Sequence, residues 1–298
     1  MGLGCGGHSR LGMSAGKSES NAIQIVQKSL ELGVNFIDTA ESYGTEGVVG
    51  KALPASQRSS VSISTKLSAS QNDRLSTASA FKARVEGSLK RLNSDYIDIL
   101  HIHGVSLEEY PYVVSELVPA LLALRDEGKI RFLGITEAFI HDTTHKMLTL
   151  ALQDDCWDVM MVGFNLLNQS ARERVFLQTQ AKKIGILCMF AVRRALSSPE
   201  VLKELMRDLV AQGLVDRAEY NPDSPLDFLL ESGCANSVPE AAYRVCRYEP
   251  GIHTVLSGTG DLAHLEENST SLMAPPLPDT VIAKLKRLFR LVNTVSGN

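Results

Sequence analysis

The sequence predicts a closed (β/α)8 TIM barrel folded as a single domain over residues 1–298, and three observations carry that expectation. Short apolar runs at 3–5, 34–37, 61–65, 96–102, 130–135, 159–164, 184–190 and 254–256 alternate with longer stretches whose apolar residues recur at helical spacing. That alternation is the pattern of successive βα units around a parallel sheet. A chain of 298 residues with 44% hydrophobic content buries a full-sized core, and barrels of about 250 residues commonly form one domain. Ionisable residues fall directly behind several runs, where a barrel carries its chemistry.

Each connecting stretch offers one apolar stripe to the sheet. Ala78, Phe81, Val85, Leu89 and Leu92 share a helix face, as do Val114, Leu117, Leu121 and Leu124, with Gly128 as the stop. Pro199 suits a first helical turn, and Val201, Leu202, Leu205 and Leu209 continue from it. The stretch from there to Thr254 requires two or three helices, with Pro225 and Pro239 as punctuation, and a last helix uses Val281, Leu285, Leu288 and Leu291. No internal repeat, low-complexity tract or composition break divides the chain.

Composition narrows the function classes. A net charge of −4 argues against a nucleic-acid binder, which needs a concentrated basic face. Five widely spaced cysteines without a CxxC pair argue against a disulfide framework and for a reducing, cytoplasmic compartment. No apolar run is long enough to span a bilayer, and the N-terminus lacks the basic region and apolar stretch of a signal peptide.

Asp38, Lys66 and His103 each follow a strand run, and Tyr43 lies just beyond Asp38. The segment Gly33-Val34-Asn35-Phe36-Ile37-Asp38-Thr39-Ala40-Glu41-Ser42-Tyr43-Gly44, followed by Glu46 and Gly50, resembles the aldo-keto reductase signature. The resemblance continues through 64–66, 95–103, 128–136 and 258–268, in order along nearly the whole chain. It implies a (β/α)8 enzyme that moves a hydride between a nicotinamide cofactor, NADP(H) or NAD(H), and a carbonyl carbon. The pattern is closer to the bacterial and plant sugar-dehydrogenase-like branch than to aldose reductases, and it starts without the usual N-terminal hairpin. The expected partner is a small-molecule carbonyl or sugar, with no nucleic acid and no membrane, the protein acting as a monomer or weak homo-oligomer.

Four catalytic roles follow from the resemblance. Tyr43 matches the residue that protonates the forming alkoxide. A phenol is a weak acid at neutral pH, so Lys66 would favour the phenolate, Asp38 would hold that lysine, and His103 would orient the carbonyl. No metal enters this chemistry.

The implied cofactor positions depart more from the family pattern. Thr136 and Glu137 stand where a Ser-Asn or Thr-Asn pair faces the nicotinamide carboxamide, Glu137 as a possible acceptor. Met161 aligns with the family's glutamine, and Phe190 is the ring expected to stack on nicotinamide. Ser257, Gly258 and Thr259 replace the lysine-bearing phosphate loop, and the glycines suit backbone approach to phosphate at the following helix N-terminus. His264 stands where an arginine often grips a 2′-phosphate, with Arg193 and Arg194 as compensating cations. Glu267 and Asn268 match the adenine-holding positions.

Two other readings stand beside the oxidoreductase. His101 and His103 lie on one strand face, the spacing used by metal-dependent hydrolase barrels. A cofactor-binding regulatory or scaffold barrel with little turnover is the third.

Overall fold

The computed structural model describes residues 1–72, 74–231 and 233–298. Eight parallel strands close into a barrel: β1 (Gly2–Gly4), β2 (Phe36–Asp38), β3 (Ser62–Leu67), β4 (Ile97–Val105), β5 (Ile130–Glu137), β6 (Val159–Gly163), β7 (Gly185–Met189) and β8 (Thr254–Ser257). Each strand pairs with its neighbours in sequence, and β1 pairs with β8 through Gly2–Leu256 and Leu3–Ser257. The predicted fold class is the observed one.

Helices fill the crossovers as the stripes demand. The Ala78–Leu92 helix begins on Thr77, whose hydroxyl accepts from the Ala80 N–H, and buries Phe81, Val85, Leu89 and Leu92. Among the described residues, three α-helices, Pro199–Ala211, Phe228–Glu231 and Val238–Arg247, and a 3-10 turn at Arg217–Glu219 occupy the long stretch before β8. Pro239 sits in the first turn of the last of them rather than interrupting a helix, because an initial turn does not require the missing N–H. Two expectations are corrected. A π-helical turn at Val113–Leu117 precedes the Val118–Asp126 helix, so the expected stripe is broken next to Pro119. The last helix, Asp279–Leu288, ends before Leu291, which is 50% exposed.

The main core lies between the strands and the helical ring. A second, smaller core of Ile99, Val159, Met161 and Leu187 fills the barrel itself, joined by partly buried Phe36, Met189 and Leu256. Strand alternation points these residues inward. Above them the inward positions become polar, and that change of character places the site. Among the described residues no helix is long and apolar enough to cross a membrane.

Candidate active site

Parallel register brings the four signature residues to one corner of the barrel top. Asp38 ends β2 beside Ser64, and Lys66 on β3 pairs with His101 on β4, two residues before His103. The Lys66 Nζ donates to Asp38 Oδ2 at 2.6 Å and to the Thr39 carbonyl at 2.7 Å. Ser64 Oγ donates to the other Asp38 oxygen at 2.8 Å. Lys66 is 1% exposed and Asp38 4%. Burial pushes the Asp38 carboxyl up, and Lys66 and Ser64 pull against that. Burial works against the Lys66 ammonium, but Asp38 and Tyr43 outweigh it and hold the group above its ordinary value.

Tyr43 closes a short turn, Glu41–Tyr43, that ends at Gly44 with φ 72°. A positive φ of that size suits glycine. The Tyr43 ring centroid is 5.0 Å from Lys66 Nζ, and its hydroxyl is 3.4 Å from His103 Nε2. The two rings meet edge to face at 86°. Burial and then the positive Lys66 lower His103 to about 3, so its imidazole is neutral at ordinary pH. Arg84 grips Glu41 at 2.6 Å, and Arg91 and Thr65 grip Glu46 at 2.7 and 2.6 Å, bracing the loop that carries Tyr43.

A cavity of about 600 Å³ opens over this corner, lined by Tyr43, Gly6, Gly7, Phe190, Arg193 and Gly258 among others. A Cβ on Gly6 would overlap the Tyr43 ring, and one on Gly258 would overlap the Gly4 carbonyl oxygen. Glycine therefore lets the first and last strand ends approach each other. This bare-backbone wall, with the buried Arg193 Nε that meets no hydrogen-bond partner, fits a phosphate-bearing cofactor chemically.

The expected cofactor residues divide into two sets. Phe190, Arg193 and Gly258 line the cavity. Several others have their polar atoms already engaged. Thr136 Oγ1 accepts from the Gly104 N–H at 2.6 Å, and Ser257 Oγ meets the Tyr243 hydroxyl at 2.9 Å. Thr259 Oγ1 accepts from the Asp261 N–H at 3.1 Å. The Glu137 carboxylate is buried, 2.9 Å from His145 Nδ1, and accepts from the Gly163 N–H at 2.8 Å. The N-terminus of the Leu262–Met273 helix is capped by the Asp261 carboxylate, which accepts from the Ala263 and His264 N–H groups. An incoming phosphate would compete there with a resident anion. His264 and Glu267 are exposed on that helix and Asn268 is half-buried. Met161 lines the cavity where the glutamine was expected.

His101 is fully buried, and its imidazole lies against Gly134, where a Cβ would overlap the ring. No group of three or more His, Cys, Asp or Glu able to hold a metal occurs among the described residues. Sequence reasoning missed Gly6, Tyr243, Phe139 and His145. Tyr243 comes from a helix remote in sequence, and His145 from a loop, where it has φ 59°. Neither position carries a periodic or motif signal.

Comparison with known proteins points to one family and agrees with the fold. The model of the "Aldo/keto reductase family" matches residues 2–290. The chain is 30% identical to aldo-keto reductase YhdN of Bacillus subtilis, over 85% of this chain and 79% of that one. It is 39% identical to L-galactose dehydrogenase of Arabidopsis thaliana over 124 residues, 40% of this chain and 39% of that protein. Among solved structures, the holo form of an aldo-keto reductase from Bacillus halodurans superposes with a TM-score of 0.70 at 24% identity, covering 97% of this chain and 91% of that one. An aldo-keto reductase from Klebsiella pneumoniae in complex with NADPH superposes with a TM-score of 0.69 at 20% identity, covering 99% and 93%.

Proposed function

The chain belongs to the aldo/keto reductase family, and from that premise we propose that it is an NAD(P)-dependent oxidoreductase acting on an aldehyde, ketone or sugar, with Tyr43 as general acid and base. A nicotinamide cofactor, when bound, supplies or accepts the hydride. Phe190, Gly258, Thr259 and Asn268 would hold it. The kinship to a sugar dehydrogenase and to a protein crystallised with NADPH supports the substrate class and the cofactor.

The chain's own residues manage the proton. The Tyr43 O–H donates to the carbonyl oxygen as charge develops there, and the neutral His103 shares that oxygen or relays the proton through its 3.4 Å contact with the phenol. Lys66 supplies the positive field that stabilises a phenolate, and Asp38, assisted by Ser64, keeps the ammonium aimed. The reading rests on one observation: a buried, carboxylate-held lysine beneath a tyrosine that faces both a histidine and a cavity.

Fluorescence titration with NADH and NADPH, followed by absorbance assays on a carbonyl panel, tests it. Tyr43→Phe should lower kcat by roughly 10²- to 10⁴-fold. An unchanged rate overturns the assignment of Tyr43. The occupied Glu137 and the capped helix N-terminus favour a second reading, a barrel that binds a nucleotide and turns over slowly. Tight binding without turnover on any carbonyl would select it, and failure to bind either nucleotide would reject both.

A further inference from the structure

Phe190 directly follows β7 and lines the cavity, yet it does so with φ 67°, a backbone conformation that a bulky side chain rarely takes. A non-glycine residue holds such a position only where its surroundings dictate it. Asn165 Nδ2 donates to the Phe190 carbonyl at 3.2 Å and to the Ser296 carbonyl at 3.1 Å, which fastens the backbone. The ring itself is met by Phe139, edge to face at 5.4 Å and 77°. The Arg193 guanidinium carbon lies 3.8 Å over the same Phe190 ring. Tilting Phe190 therefore moves an apolar wall and a cation together.

Phe139 is seated on a group that does not reach the cavity. Its ring stacks on the His145 imidazole at 5.4 Å and 14°. Both Glu137 oxygens lie within 3.0 Å of His145 Nδ1, and this double contact fixes the plane of the imidazole. The other ring nitrogen, Nε2, is buried and has no hydrogen-bond partner among the described residues, so the Glu137 contact alone orients the ring through hydrogen bonding. Glycine leaves the space for this arrangement: a Cβ on Gly163 would overlap the Phe139 ring, while the Gly163 N–H donates to Glu137 at 2.8 Å. Glu137, Phe139 and His145 are all buried, and none of the three lines the cavity. A buried acid–imidazole pair stabilises a fold no better than well-packed apolar side chains of the same volume. What it supplies here is direction: a flat surface of set orientation under Phe139, and through Phe139 a set tilt for Phe190.

We propose that Phe139, held flat on the His145–Glu137 pair, is a positioning residue for the nicotinamide cofactor: it sets the tilt of Phe190 and so the wall against which that cofactor lies. Phe139 touches no reacting atom and acts only through Phe190. Its role toward the cofactor rests on the oxidoreductase reading above, whereas the coupling of the two rings does not.

The full-length chain carrying 4-fluorophenylalanine in place of Phe190 gives a fluorine NMR signal from that ring alone, and fluorescence titration gives the affinity for NADH and NADPH. Phe139→Leu keeps an apolar side chain but loses the ring. It should shift or broaden the fluorine line and weaken nucleotide binding by roughly 2- to 10-fold, the size of one aromatic pair. Should Phe139→Leu fail to fold, His145→Asn carries the same comparison: it keeps a donor near Glu137 and tolerates a left-handed backbone, but removes the flat surface. A double-mutant cycle separates positioning from stability. On a Phe190→Leu background, Phe139→Leu should change nucleotide affinity by less than roughly 2-fold, because the ring through which it acts is gone. An unchanged fluorine line, an unchanged affinity in folded Phe139→Leu protein, or losses that multiply in the double variant would each overturn the proposal. If the fluorine line responds while the wild type binds neither nucleotide, the two rings are coupled, and the oxidoreductase reading fails together with the cofactor role that rests on it.

Discussion

Two halves of the barrel top handle polar groups in opposite ways. At the ends of β2, β3 and β4, Asp38, Lys66, Tyr43 and His103 interact chiefly with one another, and Asp38 and Tyr43 line a cavity. At the ends of β5 to β8, Thr136, Glu137, Ser257 and Asp261 are tied to protein partners: the Gly104 N–H, His145, Tyr243 and a helix terminus. The first half keeps a buried ion pair beside a tyrosine and a neutral imidazole. The second uses its polar atoms to fasten loops, and the cavity wall on that side is made of the Phe190 ring, bare backbone at Gly258, and Arg193 and Arg194.

The contrast is most sharply tested at Lys66. Lys66→Met leaves Asp38 buried without its ammonium and should cost about 3–5 kcal/mol in urea unfolding while abolishing turnover. Adding Asp38→Leu should recover most of the stability and none of the activity. Recovery of activity would mean that the pair serves only the fold.

Glu137 tests the other half. Glu137→Leu leaves the His145 Nδ1–H and the Gly163 N–H without acceptors and should cost about 2–6 kcal/mol, at roughly 1–3 for each buried donor. Nucleotide affinity measured on the folded fraction should change less than stability does. A stable variant with weakened nucleotide binding would return Glu137 to the cofactor and erase the distinction between the halves.

His103 carries the smallest effect. Its ordinary value of 6.5 falls to about 3 in the folded protein, so below 6.5 the unfolded chain binds a proton that the folded one refuses. Stability is then lost as pH falls from 6.5 toward 3, by at most about 1.4 kcal/mol per pH unit. Urea melts at about pH 6.5 and 4.5 should show His103→Gln losing less stability than the wild type over that interval. Parallel losses would show that the imidazole is not held neutral by its surroundings.

The same division explains what the amino-acid sequence disclosed. Apolar runs gave the eight strands, and the signature around Asp38 and Tyr43 is local enough to survive without coordinates. Lys66 and His103 followed because parallel register aligns strand ends. The Glu137–His145 pair was illegible, since it forms through a loop with a left-handed residue and depends on Gly163 leaving room for the Phe139 ring. Tyr243 was illegible because a helix brings it to β8 through packing alone. Leu291 was misread because helical period continues in the sequence past the point where the helix stops.

The pairing of β1 with β8 has a consequence for synthesis. Gly2 and Leu256 are register partners, and Gly4 and Gly258 face each other across the seam. A growing chain displays Asp38, Tyr43, Lys66 and His103 early, yet it has no closed seam until the last strand emerges. Because such a long-range contact forms only after a large loop has closed, ring closure is expected late in folding. The emerging chain thus contains all four signature residues long before the cavity beside them has its second wall.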